Sequence, residues 1–116
     1  MPQTSPNNLD AMLIVVTSLP NGEIAQTLAR DLMEAHLAAC VQLQAGITSI
    51  YRWNGKICEE QEVLLSAKTI ASNWQAISVF IKDKHPYEVP EILAFSPAQY
   101  YWLYGKWLQS EVNAKS

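Results

Sequence analysis

Two cysteines, two histidines and a run of carboxylates are the side chains of this sequence best able to do chemistry. Cys40, Cys58, His36 and His85 form no C-x-x-C or H-x-x-x-H pair, so a closed zinc site within one chain is not expected. His36 and Cys40 stand four apart, but the predicted boundary between a helix and a strand falls between them and removes a shared helical face. Cys40 reads either as a small buried hydrophobe opening a strand or as a thiolate for soft Cu(I), with three copies of the chain supplying ligands that one lacks. Cys58 is expected to be an exposed thiol, and both cysteines to be reduced and unpaired.

The segment His85-Pro86-Tyr87-Glu88-Val89-Pro90 is the second candidate. Its two prolines stiffen the backbone and present His85, Tyr87 and Glu88 with little conformational freedom, which suits a binding site. The alternative is a stiff helix-to-strand connection, with His85 near a helix C-terminus whose dipole favours the protonated ring. Lys68, after the apolar run VLLSA, either snorkels from a sheet edge or binds an anion. Glu59, Glu60 and Glu62 are a solvated strand edge or a weak site for a hard cation. Nucleophile motifs, phosphate loops and dinucleotide fingerprints are absent from the sequence, so the chain is not expected to be an enzyme.

These residues need elements to hold them, and residues 39–69 read as one long β-hairpin. Asn54-Gly55 supplies its two-residue turn, because both residues tolerate the positive φ that a type I′ turn requires. About 14 residues per arm would reach about 45 Å, far beyond the radius of gyration of about 13 Å of a domain of this size. The tip, with Ile50, Tyr51, Trp53 and Ile57, should overhang its domain and seek a partner, most simply a second copy. The turn pairs Trp53 with Lys56, Tyr51 with Cys58 and Val41 with Lys68, unless Ala45-Gly46 holds a bulge that switches the facing side chains.

Before the hairpin, residues 12–17 (MLIVVT) read as a central strand, and Asn21 as the cap of a helix with Ile24, Leu28, Leu32 and Ala35 on its buried stripe. After it, Ser72 and Gln75 read as a capping box for a helix through Trp74, Ile77, Phe80 and Ile81 that Pro86 ends. Residues 89–95 read as a strand in which Pro90 marks an edge or a start, and residues 98–112 as an aromatic helix acting as a packing lid. The order predicts an α+β, ferredoxin-like βαββαβ sandwich: a four-stranded antiparallel sheet, a long β2-β3 hairpin and an extra C-terminal helix. The first and third strands are expected at the centre, the second at an edge, and one sheet face bare. Residues 1–10 are expected to be a disordered tail and residues 11–113 one domain.

The charged fraction is 16%, below the roughly 25% of an average domain, which with four Trp and five Tyr favours an oligomer. The net charge of -3 and the lack of a basic stripe argue against nucleic acid. No apolar run is long enough to span a bilayer, and the polar start lacks the blocks of a signal peptide, so a cytoplasmic protein without membrane insertion is expected.

With Tyr51-x-Trp53-x-Gly55-Lys56-Ile57, Glu62, Lys68-Thr69, His85-Pro86-Tyr87-x-x-Pro90 and Leu37-Ala38-Ala39-Cys40-Val41 in view, residues 13–108 resemble the CutA family of divalent-cation tolerance proteins. The resemblance implies a homotrimer with hairpins packed across subunits, similar to PII-type signal proteins, and an association with copper or another divalent cation. It implies a cleft between subunits drawing on Tyr51, Trp53, Glu62, Lys68, His85 and Tyr87, with Cys40 as the copper ligand and His85 as a second candidate. Cys58 stands where the family pattern demands no cysteine. The expected function is a non-enzymatic, metal-binding trimer. The alternative is a PII-like signalling or scaffold trimer whose clefts bind a small organic anion through Lys68.

Overall fold

The computed structural model describes residues 10–113, so all but the last residue of the expected tail lies outside the described residues. The elements run β1 (Met12–Leu19), α1 (Gly22–Glu34), β2 (Cys40–Trp53), β3 (Lys56–Ile70), a 3-10 turn (Ala71–Asn73), α2 (Trp74–Lys84), β4 (Leu93–Phe95) and α3 (Trp102–Asn113). The sheet order is β2-β3-β1-β4 with every neighbouring pair antiparallel. This is the expected α+β arrangement, with β1 and β3 central and β2 at an edge.

Strand alternation divides the sheet into two faces. Leu13, Val15 and Leu19 of β1, with Val63, Leu65 and Ala67 of β3, pack against Ala25, Leu28 and Leu32 of α1 and Ile77 and Ile81 of α2. The opposite face is not wholly bare, as the sequence suggested. Leu108 and Val112 of α3 bury Met12, Ala39 and Ile70 at one end of it, while Leu93 and Phe95 stay exposed beyond.

Local chemistry explains where the elements begin and end. The Asn21 side chain accepts the Ile24 N–H at 2.9 Å and caps α1. Ala35 falls outside the buried stripe because the helix stops at Glu34 and leaves it exposed. Ser72 is no cap: the 3-10 turn holds it in helical geometry, whereas an N-cap needs extended backbone. Asn73 instead donates from Nδ2 to Thr69 Oγ1 at 3.0 Å. β4 has only three residues, Leu93–Phe95, and does not begin at Val89: Pro90 has no N–H to give the ladder, and the chain joins the sheet only three residues beyond it. α3 starts at Trp102 rather than Ala98, because the chain before it folds back and lays the Tyr100 ring over Gly105. A Cβ on Gly105 would lie 2.5 Å from Tyr100 Cε1. The aromatic lid is partial, for Trp102, Leu103 and Trp107 remain exposed.

The hairpin dominates the shape, giving extents of 48 × 29 × 23 Å and a radius of gyration of 15.1 Å. Asn54 and Gly55 have φ of 51° and 77°, as their turn requires. Near the tip Tyr51 pairs with Cys58 and Trp53 with Lys56, and the register then slips between Gln44 and Ile47. Val41 therefore faces Ala67, and Cys40 takes the place opposite Lys68. The bulge sits at Ala45-Gly46, where Gly46 adopts a φ of 79° that suits a residue without a Cβ. Gly46→Val is expected to cost about 1–2 kcal/mol, read as a lower urea midpoint. Gly22→Ala, at ordinary φ and in open space, should change stability by less than about 1 kcal/mol.

Candidate functional site

The slip in β2 decides which side chains of the tip share a face with the even-numbered residues of β3. Below it Cys40 pairs with Lys68; above it Ile47 pairs with Glu62 and Tyr51 with Cys58. Cys40, Tyr51, Trp53, Glu62 and Lys68 thus belong to one face, although parity along an unbroken β2 would separate Cys40 from the two aromatics. The loop after α2 closes over the upper part of this face. Between loop and hairpin lies an open groove of about 620 Å³ lined by Tyr51, Trp53, Glu62, Tyr87, Glu88 and neighbouring residues.

A chain of hydrogen bonds fixes that loop. His85 is buried, with Nε2 2.8 Å from the Ser18 carbonyl oxygen and Nδ1 3.2 Å from the Tyr87 N–H. A carbonyl only accepts and an amide N–H only donates, so the proton is on Nε2 and Nδ1 is the acceptor. The ring is neutral and both nitrogens are engaged. Burial holds its pKa below the usual histidine value, against the opposing pull of the Ser18 carbonyl and the Glu62 charge. His85 is therefore a neutral, buried strut rather than a helix-end cation. Tyr87 stacks at a tilt on the His85 ring, centroids 4.8 Å apart, and its hydroxyl donates to Glu62 Oε2 at 2.5 Å. Desolvation first, then the hydrogen bond and charge of Glu62, push the Tyr87 phenol far above its usual pKa. The Tyr51 phenol is raised too, by desolvation and then by Glu60, Cys58 and Glu62.

Of the predicted cleft residues, Tyr51, Trp53, Glu62 and Tyr87 line the groove and His85 stands behind it as a strut. Glu62 is buried rather than part of a solvated edge, because Tyr87 and the loop cover it while Glu59 and Glu60 stay exposed. Lys68 is elsewhere: it lies in a central strand, not at a sheet edge, with Nζ 5.6 Å from the centroid of the Tyr104 ring on α3. Sequence reasoning missed Ser18, Ser49 and Glu91 in the lining. Glu91, just beyond the two prolines, was legible by proximity; Ser18 enters through the sheet and left no local signal.

Cys40 and Cys58 are free and half-buried, Cys58 less exposed than expected because the hairpin face partly covers it. Cys40 and His85 do not meet. Along β3 the partner of Cys40 is Lys68, and Leu64 is opposite Ser18, four residues and roughly 13 Å away. The copper or other divalent cation implied by the resemblance does not fit a single chain: the His85 lone pair is spent on Tyr87, and among the described residues no three His, Cys, Asp or Glu are grouped to hold a metal. Among those residues, too, no helix is long and apolar enough to cross a membrane.

Comparison with known proteins settles the family. The model of the CutA1 divalent ion tolerance protein family matches residues 13–111. The chain belongs to the CutA1 family. It is similar to the divalent-cation tolerance protein CutA of Thermus thermophilus, 43% identical over 100 residues that cover 86% of this chain and 97% of that one. It is 42% identical over 97 residues to the human protein CutA, covering 84% of this chain and 54% of the human one, so it spans about half the length of that relative. The crystal structure of CutA from Xylella fastidiosa superposes with a TM-score of 0.85 at 32% identity, covering 88% of this chain and 98% of that one. The hairpin, the groove and the His85 strut all lie inside the segment that matches the family.

Two outcomes follow from the strut. Because the folded pKa of His85 is below its unfolded value of about 6.5, the unfolded state binds the proton first as pH falls. Stability should decline from just above that value down through the lowered folded pKa, and His85→Gln should flatten this part of the profile in urea melts between about pH 7 and 5. Tyr87→Phe removes the hydrogen bond to Glu62 and should cost about 1 kcal/mol in the same assay.

Proposed function

We propose that this chain is a non-enzymatic divalent-cation tolerance protein that acts as a homotrimer and binds divalent metal, chiefly copper, through ligands gathered from more than one copy. The observation that carries this reading is the place of Cys40. Its free, half-buried thiol stands in one cross-strand row with Lys68, Ile14 and Phe95, on the sheet face that α3 covers only at one end. An exposed Phe95 and Leu93 on the same face, with Ile50 and Ile57 at the hairpin tip, favour association with further copies. A thiolate there suits soft copper, and a set built between copies supplies the ligands one chain lacks. Two free thiols agree with a reducing, cytoplasmic setting.

A non-enzymatic role is supported by His85, whose two nitrogens are occupied by backbone groups and not presented to a substrate. The alternative of a PII-like signalling trimer holding a small organic anion has less support, since carboxylates line the groove and Lys68 lies away from it.

Equilibrium dialysis against copper, with light scattering on the same samples, tests the reading. Saturation at a defined stoichiometry on a trimer is expected, with uptake at least halved in Cys40→Ala and unchanged in His85→Gln. Full copper uptake by Cys40→Ala sinks the thiol ligand, and a monomeric mass at micromolar concentration sinks the trimer.

A further inference from the structure

Glu62 is a carboxylate only 9% exposed, and its hydrogen bond comes from an uncharged phenol, Tyr87. Among the described residues it forms no salt bridge; the ion pair found there joins Lys84 to Asp31. A buried anion is costly unless a cation or several donors answer it. Here it faces a groove whose volume, about 620 Å³, lies within the roughly 300–1,000 Å³ of small-molecule sites.

The walls of the groove say what would answer it. Tyr51 and Trp53 present exposed aromatic surface, and Glu88 and Glu91 add two more carboxylates, while among the described residues no basic side chain lines it. Aromatic faces and carboxylates both attract positive charge, the faces through their quadrupoles. A small organic anion would be repelled. A bare divalent ion would leave the aromatic walls unused, and the carboxylates of the described residues are not grouped closely enough to hold one.

We propose that the groove between the hairpin tip and the loop after α2 binds small organic cations, an ammonium or guanidinium group on an apolar body. Glu62 is the counter-charge, Tyr51 and Trp53 are the walls, and Tyr87 holds the Glu62 carboxylate in place. The site shares no proposed metal ligand with the copper reading, whose thiol is Cys40 at the other end of the sheet, so amine binding and copper binding are tested separately.

The test is a calorimetric titration of the full chain, at fixed ionic strength, with three probes of one shape: 2-phenylethylammonium, 2-phenylethanol and phenylacetate. Saturable binding of the ammonium is expected, with the alcohol at least tenfold weaker and phenylacetate unbound. Glu62→Gln, which keeps an acceptor for Tyr87, should weaken the ammonium at least tenfold, and Trp53→Ala should weaken it also. Cys40→Ala, whatever it does to copper, should leave amine binding intact. Equal affinity for the three probes, or full binding by a folded Glu62→Gln, overturns the proposal. Stoichiometric displacement of the amine by magnesium overturns it in favour of a metal site, and no saturable binding at all overturns it in favour of a groove filled by another copy.

Discussion

Pairing between β2 and β3 has to absorb one surplus residue, and the place where it does so sets the face of every side chain in the hairpin. With the slip at Ala45-Gly46, Val41 and Leu43 pair with Ala67 and Leu65 and share their face, where Val41 packs against the core while Leu43 stays exposed at the edge. The same slip brings Tyr51 and Trp53 to the side of Glu62. An unbroken ladder could satisfy one half of β2 or the other, since a shift of one residue exchanges the two faces. Gly46 at positive φ is thus the joint between a lower hairpin that serves the core and an upper hairpin that serves the groove.

The second wall of the groove depends on a different kind of constraint. The loop after α2 is stiffened by Pro86 and Pro90, but stiffness alone gives no address. The address comes from His85, which ties the end of α2 to the Ser18 carbonyl on β1 and passes the constraint through Tyr87 to Glu62 on β3. Three elements distant in sequence are locked by a ring whose neutral form alone has the right donor and acceptor. Burial, which disfavours the charged ring, is therefore part of what keeps the loop in place.

Much of this was legible in the residues. The Asn54-Gly55 turn, the Asn21 cap, the continuous apolar run of β1 and the stop at Pro86 each rest on local chemistry, and each appears where expected. The bulge was readable at Ala45-Gly46 as a possibility, while its effect on Cys40 and Lys68 required the paired strand. Ser72 failed as a cap because a 3-10 turn and a capping box share the same sequence cue. The loop's prolines shortened β4 by more than one missing donor suggested. The state of His85 was out of reach, since its controlling partner, Ser18, lies 67 positions away. Tyr51, Trp53, Glu62 and Tyr87 each drew notice from their own surroundings and were grouped as one cleft through family resemblance; the fold brings those four together while sending Lys68 and Cys40 to the other end of the sheet.

One consequence of the hairpin concerns its outer margin. β2 is an edge strand of 14 residues, and its far side offers an uncapped row of backbone donors and acceptors. Proteins usually blunt such margins with charge or proline, yet between Cys40 and Trp53 the only charged residue is Arg52. A folded chain with such a margin is a template, ready to extend its sheet with whatever strand reaches it. The orientation in which a second strand arrives then decides whether the margin nucleates order or aggregate.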